Sequence, residues 1–262
     1  MDAHRLLGHI SPESVKLLVE KGLITGINLQ ESTQVLPCDS CTYAKMSRTP
    51  VPKERTSTHA QEFGEEVHTD VWGPTPIKTF GGKSYYASFT DDAFQFSKLY
   101  LLVNKSETFQ VYTTFKAWAN MQYGVRIKRL QSDHGGEYLS NAFSAHLAKQ
   151  GTERRLTSHD TPEENGIAER LNQTLIERVH ALLHASQLPM ALWGEALMHI
   201  VWLKNQTSTK SLLGHTPYEA LTKEKPDLSK LHEWGEHVWV HDPDNPKLKG
   251  CAREGRWIGF DP

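Results

Sequence analysis

The stretch from residue 65 to residue 186 constrains the fold most. Three runs rich in aromatic and branched side chains open it: EEVHTDVWG (65–73), SYYASFTDD (84–92) and SKLYLLVNK (97–105). Each reads as a strand, and only a short turn separates the second from the third. A helical run extends from Ser106 to about Tyr123, with Phe109, Tyr112, Phe115 and Ala119 at helical spacing. IKRLQSD (127–133) is a fourth strand, closed by the turn HGGEY. A short helix near 141–150 and a short strand near 153–157 lead to the clearest helix, 163–186. There Ile167, Leu171, Leu175, Val179 and Leu182 form one apolar stripe. Three strands, a helix, a strand and then helices predict a mixed α/β class.

The flanks differ in character. Residues 4–24 read as helical, with Ser11-Pro12 as a helix start and Gly22 as a stop. Residues 47–62 are rich in Pro, Ser, Thr and charge, and read as a linker. After the long helix come a helix over 190–205, a capped short helix in TPYEALTK (216–223), and two apolar segments, HVWVHD and GRWIGF, suited to a small β unit. Of seven tryptophans, Trp193, Trp202, Trp234, Trp239 and Trp257 are read as core.

Composition narrows the function classes. No apolar run approaches the ~20 residues of a membrane-spanning helix. The opening MDAHRLLGHI has no long apolar stretch or cleavage site of a signal peptide. The expected location is intracellular, nucleus and cytoplasm, with no membrane partner. The sequons at Asn172 and Asn205 then carry no meaning. The net charge is −2, and no region has an excess of basic residues. That balance argues against a grip on many phosphates at once.

Three carboxylates stand where metal chemistry needs them. Asp70 lies within the first strand, Asp133 ends the fourth, and Glu169 lies on the long helix, away from the centre of its apolar stripe. Between Asp133 and Glu169 stand 35 residues. Cleaving a phosphodiester adds negative charge to an anionic phosphate, and two divalent ions about 4 Å apart stabilise both the attacking and leaving oxygens. Magnesium takes a sparse set of oxygen ligands and keeps water. The pairs Asp91-Asp92 and Glu163-Glu164 compete for the same role, and spacing alone does not choose among them.

The sequence also holds two close pairs of nitrogen and sulfur ligands. His4 and His9 are separated by four residues, and Cys38 and Cys41 by two, while Cys251 is alone. A C-x-x-C by itself reads equally as a redox pair, and a histidine pair by itself as surface. Two pairs together suit one tetrahedral structural Zn2+. Residues 1–46 hold few apolar side chains, and metal binding supplies folding free energy directly.

The segments HTDVWGP, QSDHGGEY and TPEENGIAERLNQTL, together with FTDDAFQFSKLYLL, LPMALWGEAL and TPYEALTKEKPDLSKLHEWGEHVWV, resemble the integrases of copia-type LTR retrotransposons, a branch of the retroviral-type integrase core superfamily. The resemblance runs from His4 to Pro262. It implies a ribonuclease-H-like core with a mixed five-stranded sheet, preceded by a small helical zinc-binding module and followed by a short β-barrel-like tail. The implied divisions are the zinc module at 1–46, the linker at 47–62, the catalytic core at 63–225 and a truncated small β domain at 226–262. The resemblance resolves the rival carboxylates. Its metal-dependent triad falls on Asp70, Asp133 and Glu169 with two Mg2+ (or Mn2+), and leaves Asp91 and Asp92 outside. It assigns His4, His9, Cys38 and Cys41 to zinc. The sequence departs from the family at His134, Asp160, Glu163 and Glu164, where added charge or lost neutrality stands near the site.

The implied activity is DNA integration: 3′ ends of retroelement cDNA are trimmed and joined to target DNA by transesterification. The expected partners are those DNAs, with RNA as a further one, and a second copy of the chain in a homo-oligomer. Arg126, Lys128, Arg129, Arg154, Arg155, Asn165 and Arg170 are the expected nucleic-acid contacts, with Arg178 sharing the long helix. The alternative is a catalytically inactive nucleic-acid-binding relic, and a metal-dependent ribonuclease is the weaker third reading.

Overall fold

The computed structural model describes residues 3–29, 38–45, 59–156, 162–212, 214–242 and 251–260, with residues 45 and 162–167 as helical backbone. Most of the expected linker, as well as Asp160 and the side chains of Glu163, Glu164 and Asn165, lie outside the described residues.

At the centre is a five-stranded sheet. Strands β1 (Glu66–Trp72), β2 (Tyr85–Asp91) and β3 (Ser97–Leu102) form an antiparallel meander. Strands β4 (Arg129–Ser132) and β5 (Glu153–Leu156) add in parallel on the other edge of β1, giving the order β3-β2-β1-β4-β5. The parallel additions need crossovers. These are α4 (Thr108–Tyr123) before β4 and α5 (Asn141–Gln150) before β5. Each helix ends as its sequence dictates: Gly124 and Gly151 take left-handed C-caps, and the Ser140 hydroxyl accepts from Phe143 N–H at the start of α5.

Alternation along β1 separates two layers. Val67 and Val71 join Ala87, Phe89, Tyr112, Phe115, Phe143 and Leu147 in one core, under α4 and α5. The opposite face carries Glu66, His68, Asp70 and Trp72, and there α6 (Pro162–Ser186) and α7 (Trp193–Gln206) pack. The second core joins Leu175, Val179 and Leu182 of α6 to Leu197, Ile200 and Leu203 of α7, as the apolar stripe predicts. A ribonuclease-H-like core with a mixed five-stranded sheet is thus present.

The N-terminal segment is not one continuous helix. Helices α1 (Ala3–Leu6) and α2 (Pro12–Glu20) are broken by Gly8 and His9, both with positive φ. The break is forced by packing: a Cβ at Gly8 would lie 2.8 Å from Leu203 Cδ1 and 2.9 Å from Ile200 Cδ1. Ser11 caps α2 as expected, its hydroxyl accepting from Ser14 N–H. Leu7, Ile10, Val15 and Leu18 do not make a core of their own but join that of α6 and α7. Burying side chains of this kind is worth about 1.5–3 kcal/mol each. Helix α3 (Asp39–Lys45) packs on α6, where the Tyr43 ring stacks 4.6 Å from His184. A short helix, α8 (Pro217–Thr222), follows α7.

The tail corrects an expectation. The described residues hold no barrel and no curled sheet there, only a two-stranded hairpin of β6 (His237–His241) and β7 (Ala252–Arg256). Two strands cannot close on themselves, and these are largely exposed on both faces. The apolar residues that would fill a barrel interior turn back instead. Trp257 packs on His199 and Phe260 on Trp202, both on α7, and buried Trp234 donates to Ile258 O. Trp239, read as core, is 72% exposed.

Candidate functional site

Register brings the first two carboxylates side by side. On β1 and β4, Glu66 pairs with Arg129, Val67 with Leu130 and His68 with Gln131. Continuing that register by two residues sets Asp70 beside Asp133, the first residue past the end of β4. Adjacent strands lie about 4.8 Å apart. Asp133 is turned by its own loop, since its Oδ1 accepts from Gly135 N–H at 2.9 Å. Glu169 arrives from α6, exposed and one position past buried Ala168.

Electrostatics register the approach of all three. Burial, then the Asp133 charge, push the Asp70 carboxyl up to about 6, and Glu169 adds to the rise, while Val71 N–H and Lys105 oppose it. Asp133 and Glu169 therefore both act on Asp70, with Lys105 as a compensating cation. Its Nζ lies 3.6 Å from Glu137 Oε1, in the loop after Asp133. Negative charge among these oxygen donors fits a divalent cation, which would offset the burial and the neighbouring charge that raise the Asp70 carboxyl.

The sequence reading missed the groups that hold Asp70. Asn172 Nδ2 donates to Asp70 Oδ2 at 2.6 Å, and Tyr86 Oη donates to Asn172 Oδ1 at 3.0 Å. Asn172 was seen only as part of a sequon, yet it is 5% exposed. The signal was its position three residues after Glu169, which puts both on one face of α6. Asn205, in the other sequon, is equally buried. It donates to Ser97 O and accepts from Ser97 N–H, fastening α7 to β3.

The rival pair Asp91-Asp92 is committed to the fold. Asp91 accepts from Gly64 and Phe94 N–H, although burial pushes it up to about 6. Asp92 accepts from Ala60 N–H and meets His59 Nδ1 at 3.1 Å and His68 Nε2 at 3.3 Å. Together they tie the chain entering β1 to the turn between β2 and β3.

A second cluster forms at the N-terminus. One ligand atom from each of His4, His9, Cys38 and Cys41 lies within 4.8 Å of the others. Cys41 Sγ stands 3.3 Å from His4 Nε2 and 3.4 Å from His9 Nδ1, and Cys38 Sγ stands 3.4 Å from His9 Nδ1. These edges match a tetrahedron with bonds of about 2.0–2.3 Å. His4 Nδ1 lies 2.6 Å from Ile10 O, which fixes Nε2 as the ligand nitrogen. No disulfide joins Cys38 and Cys41. The cluster fits structural zinc.

The basic residues divide. Lys128 pairs with Glu62 at 2.9 Å, and Arg129 with Glu66 at 2.8 Å and Glu153 at 3.2 Å. Arg155 approaches Glu66 at 4.0 Å. Arg154 donates to Ser144 Oγ and lies over the Phe143 ring. Arg126 and Arg170 are exposed. Arg178 turns toward the zinc-type cluster: burial pulls its guanidinium down, and the Cys41 thiol beside it pulls it back up.

This sheet order, with carboxylates on adjacent central strands and a third on the covering helix, defines the ribonuclease-H-like class to which retroviral-type integrases and related polynucleotidyl transferases belong. The chain is homologous to the integrase segment of copia-type LTR-retrotransposon Pol polyproteins. It is 33% identical over 246 residues, 94% of its length, to the retrovirus-related Pol polyprotein from transposon TNT 1-94 of Nicotiana tabacum. It is 27% and 26% identical, over 98% of its length, to those from transposons RE1 and RE2 of Arabidopsis thaliana. The chain spans only 18%, 17% and 17% of these relatives. No family model matches it. A chain of the simian T-cell lymphotropic virus intasome, solved in complex with PP2A regulatory subunit B56 gamma, overlaps 79% of this chain and 73% of its own, at TM-score 0.49 and 17% identity. No helix among the described residues is long and apolar enough to cross a membrane.

Proposed function

We propose that the chain is a metal-dependent polynucleotidyl transferase that trims the 3′ ends of retroelement cDNA and joins them to target DNA. The charge that Asp133 and Glu169 bring to bear on buried Asp70 supports this reading. Asp70 and Asp133 would hold divalent ions from the sheet, and Glu169 from α6. When bound, two Mg2+ would supply Lewis-acid stabilisation of the attacking and leaving oxygens. The residues' own part would be to present carboxylates from the sheet and from α6, with Val71 N–H and Asn172 fixing both oxygens of Asp70. Lys105, beside Glu137, adds positive charge that acts on Asp70. Each step is an in-line displacement at phosphorus, first by water and then by a 3′ hydroxyl, with no covalent enzyme intermediate. Zinc at His4, His9, Cys38 and Cys41 serves folding. Of the expected DNA contacts, exposed Arg126 and Arg170 are the ones best placed to meet a backbone.

The second reading, an inactive nucleic-acid-binding relic, draws on one observation. Lys128 and Arg129 are spent on internal ion pairs, and the net charge is −2. Strand transfer separates the two. A donor duplex bearing the element's end, incubated with plasmid in Mg2+ or Mn2+, should yield joined product with the unmodified chain and none with Glu169→Gln. No joining by either, with DNA still bound, favours the relic.

A further inference from the structure

Tyr86 sits on β2, opposite Trp72 and two pairs along from the Asp70–Ser88 pair, on the same face of the sheet as Asp70 and Trp72. Its ring is fully buried between β1 and the α6–α7 layer, 5.4 Å from the Trp72 ring. A tyrosine this deep requires a partner for its hydroxyl. The partner is Asn172 Oδ1 at 3.0 Å, and the other half of that amide donates to Asp70 Oδ2 at 2.6 Å.

The direction of this chain is set by chemistry. An ionised carboxylate only accepts, so Asn172 must turn its Nδ2 toward Asp70. That leaves the amide oxygen facing Tyr86, which must donate. Burial, with Asp70 beside it, raises the Tyr86 hydroxyl above its ordinary value, so it keeps the proton it donates. With the phenol in place, the flipped amide would set two acceptors against each other at Asp70 and waste the phenol proton.

We propose that Tyr86 and Asn172 form a positioning relay that fixes the rotamer of Asp70 and, through it, the distance from β1 to the helix carrying Glu169. The inference rests on the metal-site reading above and deepens it. Asn172 lies one turn beyond Glu169 on α6, so a single hydrogen bond sets two of the three carboxylates relative to each other. Tyr86 touches neither carboxylate in its bonding and acts only by orienting the amide.

That last point gives a sharp test. In the zinc-loaded full chain, Mn2+ affinity is read from the free-ion EPR signal, with no DNA and no turnover. Outer-shell partners of metal ligands typically contribute about 10–100-fold in affinity. Asn172→Leu, nearly isosteric, should weaken Mn2+ binding by about 10-fold or more, and Tyr86→Phe by roughly 3-fold. In the Asn172→Leu background, Tyr86→Phe should change nothing, because its route to Asp70 is gone. Unchanged affinity in both single variants overturns the relay, as does a Tyr86→Phe effect of equal size in both backgrounds. An unmodified chain that binds no Mn2+ at millimolar concentration overturns the metal-site reading and the relay with it. If Asn172→Leu does not fold, the side-chain amide of Asn172 in the unmodified chain is followed by NMR. A slowly exchanging amide that shifts on adding Mg2+ supports the relay, and one that exchanges like an exposed asparagine overturns it.

Discussion

Asp70 carries an electrostatic cost that a bound cation would relieve. Its folded value of about 6 stands above the ordinary 3.8, so the folded chain binds this proton more tightly than the unfolded one. Below about pH 4 the group is neutral in both states and carries no penalty. Stability is lost as pH rises from about 4 to about 6, and the loss persists above that. A shift of about 2 units bounds the penalty at about 3 kcal/mol. Without divalent ions, Asp70→Asn should therefore raise stability at pH 7.5 by about 1–3 kcal/mol and leave it unchanged at pH 4. Urea denaturation at the two pH values measures this. Adding Mg2+ should close the gap, because it stabilises only the unmodified chain. Single residues also mark how far the sequence could be read. Asp70, Asp133 and Glu169 were singled out by the family resemblance, since their positions alone left Asp91-Asp92 and Glu163-Glu164 as rivals. Asn172 and Lys105 did not stand out, because a polar side chain on a helix or loop is ordinary until its neighbour is known.

At the scale of elements, α6 links both clusters. Its first half carries Glu169 and Asn172, and its second half carries Arg178 and His184 against α3. Its existence was legible because five apolar residues repeat at helical spacing. The start of α2 was legible at Ser11-Pro12, but the close packing of Gly8 was not, since it answers to Leu203 and Ile200, which are about 200 residues away. Gly8→Ala should cost about 1–3 kcal/mol, from overpacking and a positive φ of 66°. Because Leu7, Ile10, Val15 and Leu18 cover α6 and α7, removing zinc should do more than loosen the N-terminus. Chelation with EDTA should lower the melting temperature and bare apolar surface that binds the dye ANS, and Cys41→Ser should do the same without chelator. A melting curve that ignores both treatments would remove zinc from the account. The tail failed as a barrel because strand-like segments say nothing about what they pack against, and α7 offered Trp257 and Phe260 a better surface.

For the whole molecule, charge decides how strongly it meets DNA. Basic and acidic residues balance in every region, and the structure spends Lys128 and Arg129 on internal pairs. Affinity falls with salt by about 0.9 per phosphate contact on logarithmic axes. The chain alone should bind DNA weakly and with a shallow slope. Glu163→Gln with Glu164→Gln should strengthen binding, more so at low salt, where screening lengths are long. A steep slope for the unmodified chain would reveal a concentrated basic face and contradict this expectation. The most direct test of the account as a whole is where divalent ions bind. Anomalous diffraction from crystals soaked in Mn2+ should show two peaks about 4 Å apart, bounded by Asp70, Asp133 and Glu169, and lost in Asp70→Asn. Saturating Mn2+ that gives no peak there, or peaks only elsewhere, would contradict the account.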